Sequence, residues 1–173
     1  MRRTILCFIA AALLATSASA SNDPFVGRWI LNVQRSKYPM GARPKSMVIE
    51  MEPADKGIRY HSETTYANGG TTQANYCAQY NGQQSVVMGS RGMLLPVSLK
   101  RIDSHTVVAT YTRLLQVIAT SRRVVSADGK IMTVTTVATD KSGKRITTIG
   151  LYQRQHDEGK TSLMAKKSSG GLR

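Results

Sequence analysis

The sequence predicts an all-β fold: an antiparallel up-and-down meander closed into a barrel of about eight to ten strands. Val, Ile, Thr and Tyr, which favour strands, make up 43 of residues 21–173. Short runs of these residues follow one another at intervals of about 8–12 residues, with turn residues between them. Connections of hairpin length favour a meander over Greek-key crossings. Closing the meander removes both exposed sheet edges, which predicts a barrel.

An export signal is expected before the barrel, at residues 1–20. Met1-Arg2-Arg3 supplies the positive start, 5–15 is a short apolar run, and Ala18-Ser19-Ala20 has the small residues of a cleavage site. An apolar run of this length is too short to cross a bilayer, and no longer one follows residue 20. We therefore expect cleavage before Ser21, a periplasmic or secreted protein, and no transmembrane segment after cleavage.

Ten strands are expected in order, separated by turns with suitable chemistry. Asn68-Gly69-Gly70, Asn81-Gly82 and Asp128-Gly129 supply the positive φ angles that tight hairpins require. The expected strands are 25–33, 46–52, 58–66, 71–80, 84–88, 94–102, 106–113, 115–126, 131–139 and 145–153.

Alternation of apolar and polar residues supports half-buried strands. Met47, Ile49 and Met51 share one strand face, and Leu95, Val97 and Leu99 share another. In contrast, 131–139 carries Thr on both faces, and the whole chain has 2 Phe and 1 Trp. The barrel interior is therefore either small and filled by side chains, or roomy and semi-polar. The sequence leaves both alternatives open.

Two segments lie outside this pattern of strands. Residues 34–45 form a basic, Pro-containing connector that is expected to cover one mouth of the barrel. Residues 155–173 are hydrophilic and basic, and are expected to be a disordered tail. The predicted domain organisation is a signal peptide at 1–20, a barrel at 21–154 and a tail at 155–173.

The chain is strongly basic, with 24 Lys+Arg against 10 Asp+Glu and a formal net charge of +14. The basic pairs Arg122-Arg123 and Lys144-Arg145 flank predicted hairpins. A field of this sign draws a protein toward anionic surfaces such as phospholipid headgroups or acidic polysaccharide. Nucleic acid is a disfavoured partner, because export separates the protein from it and stacking aromatics are scarce.

The two ends of the predicted meander carry a recognisable pair of features. Gly27 and Trp29 open the first strand, Arg154 closes the last, and the two strands are neighbours in a closed barrel. The guanidinium is then expected over the indole, a contact worth about 0.5–2 kcal/mol. This arrangement resembles the structural signature of the lipocalins and the wider calycin superfamily. The resemblance implies a small barrel of a kind that mostly binds hydrophobic small molecules.

A longer resemblance covers most of 25–154. Several segments are similar to a family of small exported bacterial proteins that start with Gly-Thr-Trp-x-Leu-Asn and continue with a Lys-Ser-Lys-aromatic segment. The chain departs from that family at Arg28 and around Leu114–Val117. The resemblance implies a lipocalin-like barrel and no particular activity. The matching segments are 27–32, 35–38, 44–46, 99–103 and 123–130.

The leading functional hypothesis is an exported lipocalin-like binding protein with a semi-polar barrel pocket for an amphipathic or anionic small molecule. Tyrosine suits such a wall, because its ring offers apolar area and its hydroxyl a hydrogen bond. The alternative is a basic envelope-surface protein that binds anionic lipid or polysaccharide and uses the barrel as a scaffold. The candidate wall residues are Tyr60, Tyr66, Tyr76, Tyr80 and Tyr111.

No metal, cofactor or catalytic residue is predicted, and the protein is expected not to be an enzyme. His61, His105 and His156 lack metal-ligand spacing. His61 and Glu63 share a strand face, which leaves an acid–base pair for a hydrolase or isomerase as a third hypothesis. A solvated ion pair is the favoured interpretation of these two residues.

Two further features have alternative interpretations. Cys77 has no intramolecular partner once Cys7 leaves with the signal, and a buried, inert thiol is favoured over an exposed, reactive one. Residues 114–118, Leu-Leu-Gln-Val-Ile, are either an exposed apolar hairpin tip that docks on a surface or a buried strand end. The buried strand end is favoured.

Overall fold

A computed structural model describes residues 23–39, 43–140 and 142–155. The predicted signal peptide lies outside the described residues, as does the predicted tail except Gln155. Within these ranges ten strands form, one for each expected strand, which confirms the all-β prediction. They are β1 (Gly27–Leu31), β2 (Pro44–Ala54), β3 (Gly57–Tyr66), β4 (Thr71–Gln79), β5 (Asn81–Gly89), β6 (Leu94–Asp103), β7 (Thr106–Arg113), β8 (Gln116–Val125), β9 (Ile131–Thr139) and β10 (Arg145–Gln155). A short 3₁₀ turn, Ser90–Gly92, joins β5 to β6.

The sheet closes on itself. Each strand pairs antiparallel with the next along the chain, and β1 pairs with β10 to complete the barrel. At this closure Trp29 stands opposite Arg154 in the register. The predicted closed meander is therefore confirmed. Along the described ranges, no helix is both long and apolar enough to pass through a bilayer.

The meander sends its connections to two opposite ends of the barrel. We call the open end the one that carries the β1–β2, β3–β4, β5–β6, β7–β8 and β9–β10 connections. The closed end carries the segment 23–26 and the four remaining turns. The half of the barrel next to the closed end is filled with side chains. Full burial of a large apolar side chain stabilises a fold by about 1.5–3 kcal/mol. Among the described residues, the largest fully buried side chains are Trp29, Phe25, Ile49, Ile58, Leu99, Met132, Val97, Val107 and Val125.

Trp29 and Arg154 fasten the closed end. The indole N–H of Trp29 donates to the Phe25 carbonyl at 2.9 Å, and the guanidinium carbon of Arg154 lies 4.2 Å from the Trp29 ring centroid. Arg154 also donates hydrogen bonds to the carbonyls of Gly129, Pro24 and Val26. The structure thus places these two residues in the contact that the sequence predicts.

Gly27 is required by the same contact. Its φ of +134° is rarely adopted by residues with a side chain, and a Cβ there would lie 2.5 Å from Nη1 of Arg154. The glycine lets the guanidinium approach the backbone of β1. The Gly-x-Trp triplet therefore combines a close backbone approach with the indole that the cation covers.

The basic connector between β1 and β2 is partly described. Lys37 exchanges two backbone hydrogen bonds of 2.8 Å with Ile149 of β10, and the amide of Leu151 donates to Ser36 Oγ at 2.9 Å. This places Tyr38 beside the barrel interior, where it lines a cavity. The described part of the connector therefore runs along β10, and residues 40–42 lie outside the described residues.

The β7–β8 hairpin turns on two leucines. Leu114 and Leu115 have φ angles of 49° and 64°, the left-handed geometry of a two-residue hairpin turn. Their side chains are 92% and 98% exposed, respectively. The predicted buried strand end is wrong, because Arg113 pairs with Gln116 and this register leaves both leucines at the tip, beyond the barrel wall.

Candidate functional site

The half of the barrel next to the open end is hollow. It contains two adjoining cavities of about 430 Å³ and about 280 Å³, which share Met47, Tyr60 and Tyr111 as walls. The larger cavity reaches Ser90 and Met93 in the β5–β6 connection. Each of the two alternatives left open by the sequence therefore holds for one half of the barrel. The closed half is filled, apart from an open depression of about 540 Å³ at its end beside Tyr80 and Arg101, and the open half is roomy and semi-polar.

Arg123 of β8 projects into the smaller cavity and is 3% exposed. Its guanidinium donates to the Tyr76 hydroxyl at 2.6 Å and to the Tyr111 hydroxyl at 3.3 Å. The guanidinium carbon lies 4.8 Å from the Tyr60 ring centroid. No Asp or Glu of the described residues forms an ion pair with it. The site is thus built around a buried cation whose hydrogen-bond partners are uncharged.

The sequence analysis counted Arg123 together with Arg122 in the basic charge of the protein and did not select it as a site residue. Side chains alternate along β8, so Ser121, Arg123 and Val125 are buried while Arg122 is exposed. Burial acts to lower the pKa of the Arg123 guanidinium, while the charge that Tyr76, Tyr111 and Tyr60 acquire when they ionise acts to raise it, and the net effect is a raised pKa. The group therefore remains protonated at neutral pH.

Two tyrosines form the wall against Arg123. The Tyr60 and Tyr76 rings are stacked, with centroids 4.6 Å apart and an interplanar angle of 12°. Burial raises the pKa of both hydroxyls above the usual value for tyrosine. Both are therefore neutral at physiological pH. Since the Tyr76 oxygen accepts from Arg123, its own proton remains available to donate to a bound oxygen atom.

Tyr38 and Tyr152 also line the smaller cavity, and the sequence analysis did not select them. The Tyr152 hydroxyl donates to the sulfur of Met47 at 3.1 Å. Burial raises the pKa of both tyrosines. Gly150 makes room for them, since a Cβ there would lie 2.7 Å from the Tyr152 ring and 3.2 Å from the Tyr38 hydroxyl. Tyr38 carried no strand pattern that could have revealed it.

The structure brings together three of the five predicted wall residues, namely Tyr60, Tyr76 and Tyr111. Tyr66 lies at the β3–β4 turn, where its carbonyl accepts from Gly69 and its amide donates to Gly70. Tyr80 lies at the closed end, with its ring centroid 4.0 Å from the guanidinium carbon of Arg101. Neither of these two lines the cavities around Arg123.

His61 and Glu63 lie on the outside of the barrel, in a shallow depression of about 250 Å³ that Arg28 and Glu50 also line. The Nδ1 atom of His61 is hydrogen-bonded to Oδ1 of Asn75 at 2.6 Å. The described residues contain no group of three or more His, Cys, Asp or Glu side chains arranged to hold a metal ion.

Cys77 is exposed on the outer face of β4. Its neighbours Tyr76 and Ala78 are buried, so the alternation of the strand directs the thiol outward. The prediction of a buried, inert thiol is therefore wrong as to burial.

Barrel and cavity together define a calycin-like fold with a hollow half. No protein-family model matches the sequence, and no curated protein does. Among solved structures the chain is similar to zebrafish ileal bile acid-binding protein complexed with cholic acid, with a TM-score of 0.52, 12% identity, and coverage of 76% of this chain and 99% of that one. Lobster apocrustacyanin A1 overlaps with a TM-score of 0.39, 11% identity, and coverage of 86% and 70%. The similarity to the zebrafish protein shows that the fold is shared.

Proposed function

We propose that this protein is an exported binding protein that holds an anionic amphipathic small molecule in the open half of the barrel, with the acid group at Arg123. One observation carries the proposal. Arg123 is a buried cation beside a cavity and lacks an anionic partner among the described residues. The ligand would supply the missing negative charge.

The energetics of burial favour this assignment. Moving a guanidinium out of water costs several kcal/mol unless opposite charge and hydrogen bonds compensate for it. Tyr76, Tyr111 and the Tyr60 ring compensate in part. A carboxylate, sulfonate or phosphate beside Arg123 would complete the compensation, since the planar fork of arginine pairs with such groups through two hydrogen bonds.

The remaining walls define the other part of the ligand. Between Arg123 and the open end the cavity is lined by apolar side chains, including Val87, Met93 and Leu95, and by hydroxyl groups of Ser and Thr. A molecule with an acid group at one end and an apolar body with few polar substituents fits this lining. The cholic acid bound by the zebrafish protein is an amphipathic acid, which supports this ligand class.

We propose a binding role and no catalysis, and a periplasmic or secreted location after removal of residues 1–20. The N-terminal sequence pattern supports export, and the zebrafish neighbour is a binding protein by name. Mass spectrometry of the protein isolated from its own host would show whether the chain begins at Ser21. A chain that still begins at Met1 would contradict cleavage.

Paired ligands test the binding proposal. Decanoate and decanol have the same apolar chain and differ in the charged group, so their affinities isolate the role of the cation. We expect decanoate to bind at least about 30-fold more tightly than decanol, since a close buried charge pair contributes about 2 kcal/mol or more. Equal affinities would contradict the proposal. Native mass spectrometry of host-purified protein would complement this by revealing an acidic small molecule bound to the chain.

The alternative, a basic protein that binds anionic envelope surfaces, is favoured by a separate observation. Arg91, Arg113 and Lys144 are exposed in or beside the open-end connections, which gives this end a positive charge that attracts anionic surfaces. Binding of this kind should weaken steeply with added salt. Binding to anionic vesicles that does not respond to salt would contradict the electrostatic part of this alternative.

A further inference from the structure

The open end carries an exposed apolar surface next to the cavity. It consists of the hairpin tip, Leu114 and Leu115, and of an apolar rim formed by Met88, Met93, Leu94 and Val117. We propose that this end docks on a phospholipid bilayer that contains anionic lipids, with the hairpin tip inserted among the lipids. This inference goes beyond the proposed ligand binding and, apart from Met93, rests on different residues. For the alternative function, binding of anionic envelope surfaces, it names the hairpin tip as the binding element and an anionic bilayer as the partner.

The hairpin tip is exposed at a cost to the fold. A two-residue turn with positive φ at both positions favours Asn and Gly, because a side chain with a Cβ is strained there. Leu114 and Leu115 occupy both positions with φ of 49° and 64°, and they are almost fully exposed. Two leucines at this place neither favour the turn nor pack in the core. Burial in a bilayer is an environment that their apolar surface fits.

The apolar rim extends this surface around one side of the mouth. Met88 of β5 and Leu94 of β6 are direct partners in the register, and they are 59% and 68% exposed, respectively. Met93 lies in the connection between these strands and also lines the larger cavity. Apolar surface therefore reaches from the outside of β5 and β6 to the entrance of the cavity.

Basic side chains accompany the apolar ones. Arg91 lies in the β5–β6 connection and Arg113 directly precedes the hairpin tip, and both are exposed. Lys144 and Arg145 are exposed at the β9–β10 connection. Within the described parts of the open-end connections, Asp140 is the one acidic residue, and its carboxylate accepts hydrogen bonds from Ser142 and Lys144 of its own loop. Apolar residues that insert, together with cations that contact headgroup phosphates, form the combination that binds anionic membrane surfaces.

Docking at this end would place the mouth of the cavity against the bilayer. An amphipathic acid could then pass between lipid and cavity without crossing bulk water. Docking itself requires no bound ligand, so the two proposals can fail separately.

Vesicle flotation with the full chain as isolated from its host tests the docking. The parent protein is compared with Leu114→Asn/Leu115→Gly, which removes the hairpin tip and installs residues that the turn favours. The matched control is Ile30→Thr/Ile102→Thr, which removes two exposed apolar side chains of the barrel wall away from the hairpin tip. Vesicles of phosphatidylcholine with an equal part of phosphatidylglycerol are compared with phosphatidylcholine alone.

We expect the tip variant to lose at least about tenfold in partitioning to the anionic vesicles, and the control variant to stay within about twofold of the parent. Removing phosphatidylglycerol should lower partitioning of the parent by a similar factor. Any contribution of the N-terminal or C-terminal segments is common to all variants. Equal partitioning of the parent and the tip variant would therefore overturn the proposal.

Two further measurements separate this proposal from others. The variant Arg123→Met should float as the parent does, even if it loses decanoate binding, because Arg123 is buried far from the tip. Sedimentation velocity without vesicles tests whether a second copy of the chain covers the tip instead. A parent dimer that becomes monomeric in the tip variant, without vesicle binding, would overturn the membrane assignment.

Discussion

Replacing Arg123 by Met would separate the cost of the buried cation from its use in binding. The variant loses two hydrogen bonds between a charged donor and phenol oxygens, worth about 1.5–3 kcal/mol each. It also loses the contact with the Tyr60 ring, worth about 2 kcal/mol when desolvated. In return it no longer has to desolvate a guanidinium, which costs several kcal/mol. These terms nearly cancel, so the free energy of unfolding without ligand should change by less than about 2 kcal/mol.

Ligand binding should respond much more strongly. Removal of one partner of a buried, hydrogen-bonded charge pair costs about 2–5 kcal/mol, which corresponds to a decanoate affinity about 30-fold to 4,000-fold weaker. Decanol should bind the variant and the parent within about threefold of each other, because it carries no charge to pair. The expected pattern is thus a large loss for the acid, a small change for the alcohol, and a fold of nearly unchanged stability.

Arg122→Met is the matched control. It removes the same formal charge from the adjacent residue, which is exposed on the outer face of β8. Isothermal titration at fixed ionic strength gives the affinities, and calorimetric unfolding gives the stabilities. Equal losses of decanoate binding in the two variants would show that only the overall charge matters, and would refute the reasoning. An unliganded Arg123→Met protein destabilised by more than about 4 kcal/mol would show that the cation is a structural element.

Three other predictions concern stability. Gly27→Ala should lower the free energy of unfolding by at least about 2 kcal/mol, because the positive φ is strained and the new Cβ meets Arg154; thermal unfolding within 2 °C of the parent would contradict this. Leu114→Asn/Leu115→Gly should raise the free energy of unfolding by about 1–2 kcal/mol, because Asn and Gly adopt the positive φ angles of this turn with less strain than Leu. A lower unfolding temperature would show instead that the leucines stabilise the hairpin. Burial raises the pKa of Tyr60, Tyr76 and Tyr152, so above pH of about 10 the unfolded chain loses these protons while the folded chain retains them. Stability should therefore be complete below pH 10 and fall above it, and full tyrosine ionisation near pH 10 with an intact near-ultraviolet circular dichroism spectrum would contradict the burial.

The strands and turns could be predicted from the sequence because each is defined locally. A hairpin turn needs positive φ at particular positions, and glycines 69, 82 and 129 adopt it where the turns were expected. A closed meander then follows from the number and length of the strands. These features depend on short stretches of chain and on the pairing of neighbours, so one sequence suffices to predict them.

The candidate site depended on information that the sequence lacks. On β8 both Val124 and Val125 are apolar, so alternation does not show which face is internal, and Arg123 could not be assigned to the interior. Tyr66 and Tyr80 illustrate a second difficulty. They continue the inward alternation of Tyr60 and Tyr76, but they lie at opposite ends of the barrel. The height of a residue along the barrel axis is set by the register of all ten strands, which local patterns do not determine.

Among the described residues, three arginines approach aromatic rings inside or at the end of the barrel, and their partners distinguish their roles. Arg101 packs on Tyr80 and pairs with the carboxylate of Asp23 at 2.6 Å. Arg154 covers Trp29 and donates to three backbone carbonyls. Both cations fasten the closed end, because a carboxylate or backbone carbonyls compensate for their burial.

Arg123 has a different set of partners. It uses two hydrogen bonds, both to neutral phenols, although a guanidinium carries five N–H donors. It also borders the smaller cavity, whereas Arg101 and Arg154 lie at the packed, closed end of the barrel. For Arg101 and Arg154 the protein itself supplies the groups that offset the charge, namely the Asp23 carboxylate and the backbone carbonyls. At Arg123 the described residues supply hydrogen bonds and an aromatic ring but no negative charge, next to a space large enough to admit a ligand that brings one.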